Sequence, residues 1–432
     1  MFEEKQHKMA YVRNTPVKRQ KSNSEPARIY PKALRSEVGI LRLIHEKSKI
    51  SRIDLAKRTG SSAASITAIA HRLIDKHLIV ESGQGSTHFG RKPVLLSVRN
   101  DAAYVVGVDL GSFFIRVVIA DINGNLVYKV QAETELSQGR ERVVNKTFKL
   151  IEKAMRDSRV ARETIKGIGI GHSGVIDIKS GMVLSLPRAG QMLEWKNVPL
   201  RSILEDKFDL PCALEDSVRT RAIAEKHFGL GAHISDFIYI DVGMGIGAAL
   251  FIDDEIYRGP GGSAGEFGHM TVDERGPLCS CGNSGCVEAL ASCGAIIQAA
   301  RAAVERGVNT KLRDLAEGRP ENISIEIIAK AAMDNDSLAF RVLHDAVSHI
   351  AVALADVVNL LNPRVIIFGG ALFQSAPQLL LEELKRPMKQ RALEKSANEV
   401  ELKVSSLGSE AGALGAARMI SETALDRLYA EN

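Results

Sequence analysis

Residues 261–288 read GGSAGEFGHMTVDERGPLCSCGNSGCVE. One imidazole, His269, precedes three thiols, Cys279, Cys281 and Cys286, in the spacing H-x9-C-x-C-x4-C. Three Cys and one His complete a tetrahedral donor set of the kind that holds structural Zn2+, with no position left for a hydrolytic water. The intervening Gly and Pro residues let a short loop fold back on a metal. The alternative, free thiols on a loop, requires three of only five cysteines in 432 residues to bunch by chance. Five is also too few for a disulfide scaffold, so the cluster reads as metal chemistry in a reducing, cytoplasmic compartment. Cys212 and Cys293 stand apart and read as small buried hydrophobes.

Around this segment the pattern is α/β. Val105-Val106-Gly107-Val108-Asp109 is a buried strand ending in Asp-Leu-Gly, and Phe237-Ile238-Tyr239-Ile240-Asp241-Val242-Gly243 repeats the theme. Strands at 116–120 and 126–130 are separated by an Asn123-Gly124 turn. A helix is expected over 140–156, and further strands at 167–170 and 364–370. Two strands ending in Asp-x-Gly suggest a duplicated α/β lobe, although Asp-x-Gly is also a common strand-end turn.

The first hundred residues differ in charge. They hold 20 Lys+Arg against 8 Asp+Glu, whereas the remainder holds 37 against 44. A basic front end on an acidic body points to a polyanionic partner for the front end alone. Residues 1–30 are polar, basic and without periodicity, as expected of a disordered arm. They contain no apolar segment of the secretory type, and no run of about 18 apolar residues suggests a membrane partner. Residues 34–79 read as three short helices: 34–46, then 52–58 capped by Ser51, then one capped by Ser61 or Ser62 and running to Lys76. Ile66, Ile69, Ala70 and Leu73 form one buried stripe on the third helix. Two strands around a Gly-rich turn follow, the second opening on Arg91-Lys92-Pro93. This order is that of a winged helix-turn-helix. The third helix would enter a major groove, presenting Ala63, Ala64, Ser65, Thr67, Ala68 and Arg72, while Arg91 and Lys92 reach phosphates or a minor groove. Three amphipathic helices alone would equally suit a protein–protein module; the charge and the small exposed residues favour double-stranded DNA.

The body resembles the ROK family of repressors, open reading frames and sugar kinases. The resemblance rests on residues 261–269 and 279–288, on Gly107-Val108-Asp109-Leu110-Gly111, on Gly169 to Asp177, and on Asn362-Pro363 leading to Gly369-Gly370. It implies an actin-like (ribonuclease H-like, duplicated) two-lobed sugar-kinase fold, with a sugar bound between the lobes and zinc beneath the cleft. The expected organisation is an arm (1–30), a winged helix-turn-helix domain (31–99), a first α/β lobe (100–217 plus 404–432) and a second lobe with the zinc and sugar sites (218–403). By resemblance Glu266, His269 and Glu288 contact sugar hydroxyls, and Asp216 matches the catalytic base. Glu215 stands where the family usually has a sugar-binding Asn.

The resemblance also implies what is missing. The family's phosphate turn, Asp-x-Gly-Gly-Thr-Lys, here reads Asp109-Leu110-Gly111-Ser112-Phe113-Phe114. The second turn, Gly-Thr-Gly, reads Gly243-Met244-Gly245. A hydroxyl and a cation are gone from one and a hydroxyl from the other, and phosphoryl transfer depends on such groups. The expectation is a non-enzymatic, sugar-released transcriptional repressor of carbohydrate genes, a homodimer or homotetramer in which Asp216 is vestigial. The alternatives are a sugar kinase that also binds DNA and a DNA-binding protein that docks a protein partner.

Overall fold

The computed structural model describes residues 35–85, 92–186 and 195–432. The expected arm (1–30) and Arg91 lie outside the described residues.

The head begins with α1 (Glu37–Glu46), β1 (Ile50–Ser51), α2 (Arg52–Thr59) and α3 (Ala63–Asp75), followed by β2 (Ile79–Gln84) and β3 (Val94–Val98). Ser51 caps α2 by accepting from Asp54 N, and Ser62 caps α3 by accepting from Ser65 N, so the cap falls on the second of the two candidate serines. Gly60 ends α2 in the left-handed region, φ +65°, which sets the tight turn between the pair. The sheet has order β1-β3-β2. Its third strand, two residues long, is absent from the sequence reading because no periodicity can register over Ile50–Ser51.

The first lobe of the body holds β4 (Tyr104–Leu110), β5 (Phe114–Asp121), β6 (Leu126–Glu133), α4 (Arg140–Asp157), β7 (Ile165–His172), β8 (Val175–Asp177), β9 (Met182–Ser185), α5 (Leu200–Phe208) and β10 (Cys212–Asp216); α6 (Ser217–Phe228), at the expected start of the second lobe, packs on the C-terminal helix and sets Ala222 and Ile223 against Phe237 and Tyr239 of that lobe. The second holds β11 (Phe237–Val242), β12 (Ile246–Ile252), β13 (Glu255–Tyr257), α7 (Val287–Ala291), α8 (Cys293–Glu305), α9 (Leu312–Leu315), α10 (Ile325–Met333), α11 (Ser337–Leu361), β14 (Val365–Gly369), α12 (Gly370–Ser375), α13 (Pro377–Arg391), α14 (Glu394–Glu399) and β15 (Glu401–Val404). The chain then returns to the first lobe as α15 (Ala411–Glu431).

Duplication is now visible in topology. The first sheet runs β10-β7-β4-β5-β6 and the second β13-β12-β11-β14-β15. Counted within each lobe, both are the order 3-2-1-4-5. In both, the second strand is antiparallel to the first and the fourth parallel. Asp109 pairs with Gly171 on the fourth strand of its sheet, and Asp241 with Gly369 on the fourth strand of its own. The two Asp-x-Gly strand ends are therefore equivalent positions.

Helix α11 is the one described helix long and apolar enough to cross a bilayer, yet eleven of its side chains are buried in the second-lobe core. Helix α15 packs on the first sheet without side-chain spacers. A Cβ on Gly107 would sit 1.9 Å from Ala413 O, and one on Gly169 1.8 Å from Ala416 O. The far end of α15 shares one hydrophobic core with the head: Ala417, Ile420, Leu425 and Leu428 pack with Ile40, Ile44, Leu73 and Leu96.

Candidate ligand cleft and metal centre

A cleft of about 670 Å³ opens between the lobes. Asp216, Glu266, His269 and Glu288 all line it. Asp216 ends β10 and caps α6, its Oδ1 accepting from Val218 N at 2.8 Å and Arg219 N at 3.1 Å. Burial pushes its carboxyl up to about 6, against the pull of those two N–H donors and of the Arg219 charge. Glu288 Oε2 accepts from Ile246 N at 2.8 Å, which anchors the first turn of α7 to β12. Glu266 is largely exposed to the cleft, with Oε2 3.9 Å from His269 Nε2.

Glu215 is not brought to the cleft with them. Side chains alternate across a strand, so Glu215 and Asp216 leave β10 in opposite directions. The Glu215 carboxylate is fully buried, with Arg219 Nη1 at 3.3 Å on Oε1 and Arg258 Nη2 at 2.7 Å on Oε2. Arg219 Nη2 also donates to Gly262 O and Ala264 O, at 2.7 and 2.9 Å. The expected sugar contact is instead the anchor of the Gly-rich loop that carries Glu266.

His269, Cys279, Cys281 and Cys286 converge, with one donor atom from each within 4.8 Å of the others. Cys279 Sγ lies 3.7 Å from His269 Nδ1, and Cys281 Sγ 3.7 Å from Cys286 Sγ. Tetrahedral bonds of about 2.3 Å to sulfur place two ligands roughly 3.8 Å apart, so the spacing suits an ion at the centre. His269 turns Nδ1 to the thiols and Nε2 toward Glu266 and the cleft. The cluster could thus hold a metal while the same imidazole faces a ligand. Cys212 and Cys293 are buried elsewhere, where burial pushes both thiols up to about 12.

Sequence reasoning missed the centre of the cleft floor. Arg221, on α6, donates through Nη2 to Asp109 Oδ2 at 2.9 Å and lies 3.8 Å from Asp241 Oδ1. One guanidinium therefore bridges the equivalent carboxylates of the two lobes. Arg116 stands 3.7 Å from Asp109, and Tyr239 donates to Asp241 at 3.1 Å. The available signal was two arginines, Arg219 and Arg221, close behind Asp216 in a helix with little amphipathic pattern. Buried charges need buried partners.

In the head, Ala63, Ala64, Ser65 and Ala68 of α3 are exposed, as expected of a groove-facing surface. Thr67 is half-buried, and its hydroxyl donates to Ala63 O at 2.8 Å, which leaves the methyl as its outward chemistry. Lys92 is exposed. Arg72 is ion-paired with Glu37 of α1, and Glu37 also accepts from Tyr429 of α15 at 2.9 Å. Arg72 is thus tied into the seam between head and body.

A duplicated two-lobed body with a polar interlobe cleft, carrying a helix-turn-helix head, defines a sugar-kinase-like fold joined to a DNA-binding module. The chain belongs to the ROK family, whose model matches residues 105–423. It is 33% identical to a xylose repressor of Caldicellulosiruptor bescii over 88% of this chain and 94% of that one. Among solved structures it resembles a ROK family transcriptional regulator described as a homolog of the Escherichia coli MLC protein (TM-score 0.75, 27% identity, 93% of this chain and 100% of that one). It also resembles a ROK family glucokinase from Streptomyces griseus in complex with glucose and AMPPNP (TM-score 0.66, 27% identity, 73% and 99%).

Proposed function

We propose that the chain is a cytoplasmic transcriptional repressor that binds an operator through its head and is released when a sugar occupies the interlobe cleft. The observation that carries this reading is the path of α15. Its first residue, Ala411, lines the cleft, and Leu425 and Leu428 sit in the hydrophobic core of the head. From Ala411 to Leu428 the helix is about 25 Å of rigid rod between the two sites. Sugar and DNA need only favour different lobe angles for each to weaken the other. In a dimer, rotating the lobes would change the spacing of two heads that must fall on half-sites whole turns apart.

Within the cleft, Glu266, Glu288 and Asp216 accept hydrogen bonds from sugar hydroxyls, and His269 Nε2 adds a further polar contact. The four-ligand set suits a structural Zn2+, which would cross-link the loop that presents His269 and fix its tautomer. No enzymatic role is assigned. Ser112, Phe113 and Phe114 follow the first strand end, and the Gly111 N–H is spent on Phe114 O at 3.1 Å. That turn offers little to a triphosphate.

The test uses full-length protein. Operators are selected from a random DNA pool and their affinity is measured against added xylose, glucose or N-acetylglucosamine. A sugar that weakens binding tenfold or more supports the reading; failure to select any sequence overturns it. A second reading, a DNA-binding sugar kinase, is favoured by one feature: Asp216 lines the cleft as a carboxyl raised to about 6, as suits a general base. ATP-dependent phosphorylation abolished in Asp216→Asn would establish it.

A further inference from the structure

We infer that the effector is longer than one sugar ring, a disaccharide or short oligosaccharide whose second ring rests on Phe113, Phe114 and Met244. This rests on the sugar-sensing reading above and extends it to ligand size.

The cleft volume of about 670 Å³ falls in the range that houses multi-ring ligands. Asp216, Glu266 and Glu288 account for only a few of the residues in its lining. The lining continues to Ser112, Phe113, Phe114 and Met244, and these four residues also line an adjoining cavity with Glu133, Glu135 and Leu136. The aromatic shelf therefore lines the same cleft as the carboxylates and opens into the adjoining cavity. It is also solvent-facing: Phe113 is 53% exposed, Phe114 36% and Met244 38%. Clustered exposed apolar side chains at the mouth of a cleft mark a binding surface rather than core.

The shelf is held rigidly. Gly111 N donates to Phe114 O, Thr134 N to Phe113 O at 2.7 Å, and the buried Thr134 hydroxyl to Gly111 O at 2.7 Å. Ser112 and Ser173 hydroxyls meet at 3.2 Å, tying the turn to the loop after β7. Phe114 is backed by the Arg116 guanidinium, 5.1 Å from its ring centroid. A preorganised surface loses little freedom when a ligand lands on it.

Its chemistry selects a neutral polyol ring. The C–H faces of a pyranose are apolar and stack on aromatic rings, while its hydroxyls donate to carboxylates. Glu133 is exposed at this rim, and Glu135 is held by Lys146 at 2.6 Å. Among the described residues the adjoining cavity has two carboxylates in its lining and no Lys or Arg. The Glu135 charge is matched by Lys146, so Glu133 is the carboxylate of this rim left to accept from a ring hydroxyl.

Calorimetric titration of the full chain with matched pairs decides the matter: xylose and xylobiose, glucose and cellobiose, N-acetylglucosamine and chitobiose. The expected result is one pair in which the disaccharide binds at least tenfold tighter. Phe113→Ala, an exposed position, should erase that excess and leave monosaccharide affinity unchanged. Glu133→Gln should reduce the excess in part. Equal affinity within every pair that binds, or an excess untouched by Phe113→Ala, overturns the shelf and leaves the sensor reading standing. Binding of none of the six sugars overturns both.

Discussion

Burial and hydrogen bonding act on the Asp216 carboxyl in opposite senses, and burial wins. The folded protein holds this proton up to about pH 6, whereas the unfolded chain releases it near 3.8. The folded state is thus favoured by protonation, and that contribution is lost as pH rises through 6. Asn can cap α6 as Asp does but carries no charge. Asp216→Asn should therefore be more stable than wild type at pH 7.5, by on the order of 1 kcal/mol after solvent screening. The difference should vanish below pH 4, as followed by calorimetric melting. Cys281, the exposed thiol of the cluster, tests the metal centre. On the proposed zinc assignment, wild type should carry one ion per chain, and Cys281→Ser should carry close to none and melt in its second lobe several degrees earlier; elemental analysis and melting curves check both. Legibility differs sharply among these residues. The thiol spacing is local, so the sequence displays it. The partnering of Glu215 with Arg258 is not, because the two meet only when β10 and the loop after β13 are brought together.

At the scale of elements, α15 and the first sheet depend on residues without side chains. Gly169 lies under the Ala416 carbonyl so closely that a methyl group would meet backbone rather than a movable side-chain tip. Gly169→Ala should cost about 2–3 kcal/mol, read as a lowered urea midpoint. Gly85, just past the end of β2, offers a contrast: a Cβ there would first meet the Pro93 ring, at 3.2 Å, rather than backbone. The sequence announces the strand 167–170 by its apolar residues, but its alternating glycines read only as irregularity until a helix is laid across them. Much the same holds for β1, whose two residues become a strand only because Leu95 and Leu96 of β3 lie opposite.

For the whole molecule, the proposed release of DNA requires a cleft event to cross the seam between head and body. His45 on α1 is buried there and donates from Nε2 to Ile122 O at 2.6 Å, while its Nδ1 has no partner. Burial, with the nearby Arg418 charge, holds this imidazole down to about 3. The unfolded chain takes up the proton near 6.5, so stability is full above that pH and falls below it. The loss should reach about 2 kcal/mol by pH 5. Hydrogen exchange between pH 7 and 5 should show α1 and the end of α15 opening first. His45→Gln, which keeps a donor and does not titrate, should remove the share of that dependence due to His45, while the buried imidazoles of His227 and His172, also held down by burial, keep theirs.

The sequence by itself determined what local spacing encodes: the helix-turn-helix order, the capped helices, the strands ending in Asp-x-Gly, the metal donor set, and the family to which the body belongs. Tertiary structure alone decided how distant charges and surfaces pair. It set Arg221 between Asp109 and Asp241, turned Glu215 away from the cleft, and drew Arg72 toward Glu37. It also joined Phe113, Phe114 and Met244 across two lobes. The physical reason is range. Propensity, capping and ligand spacing act within a few residues, whereas burial makes a charge seek whichever opposite charge the fold delivers, at any separation along the chain.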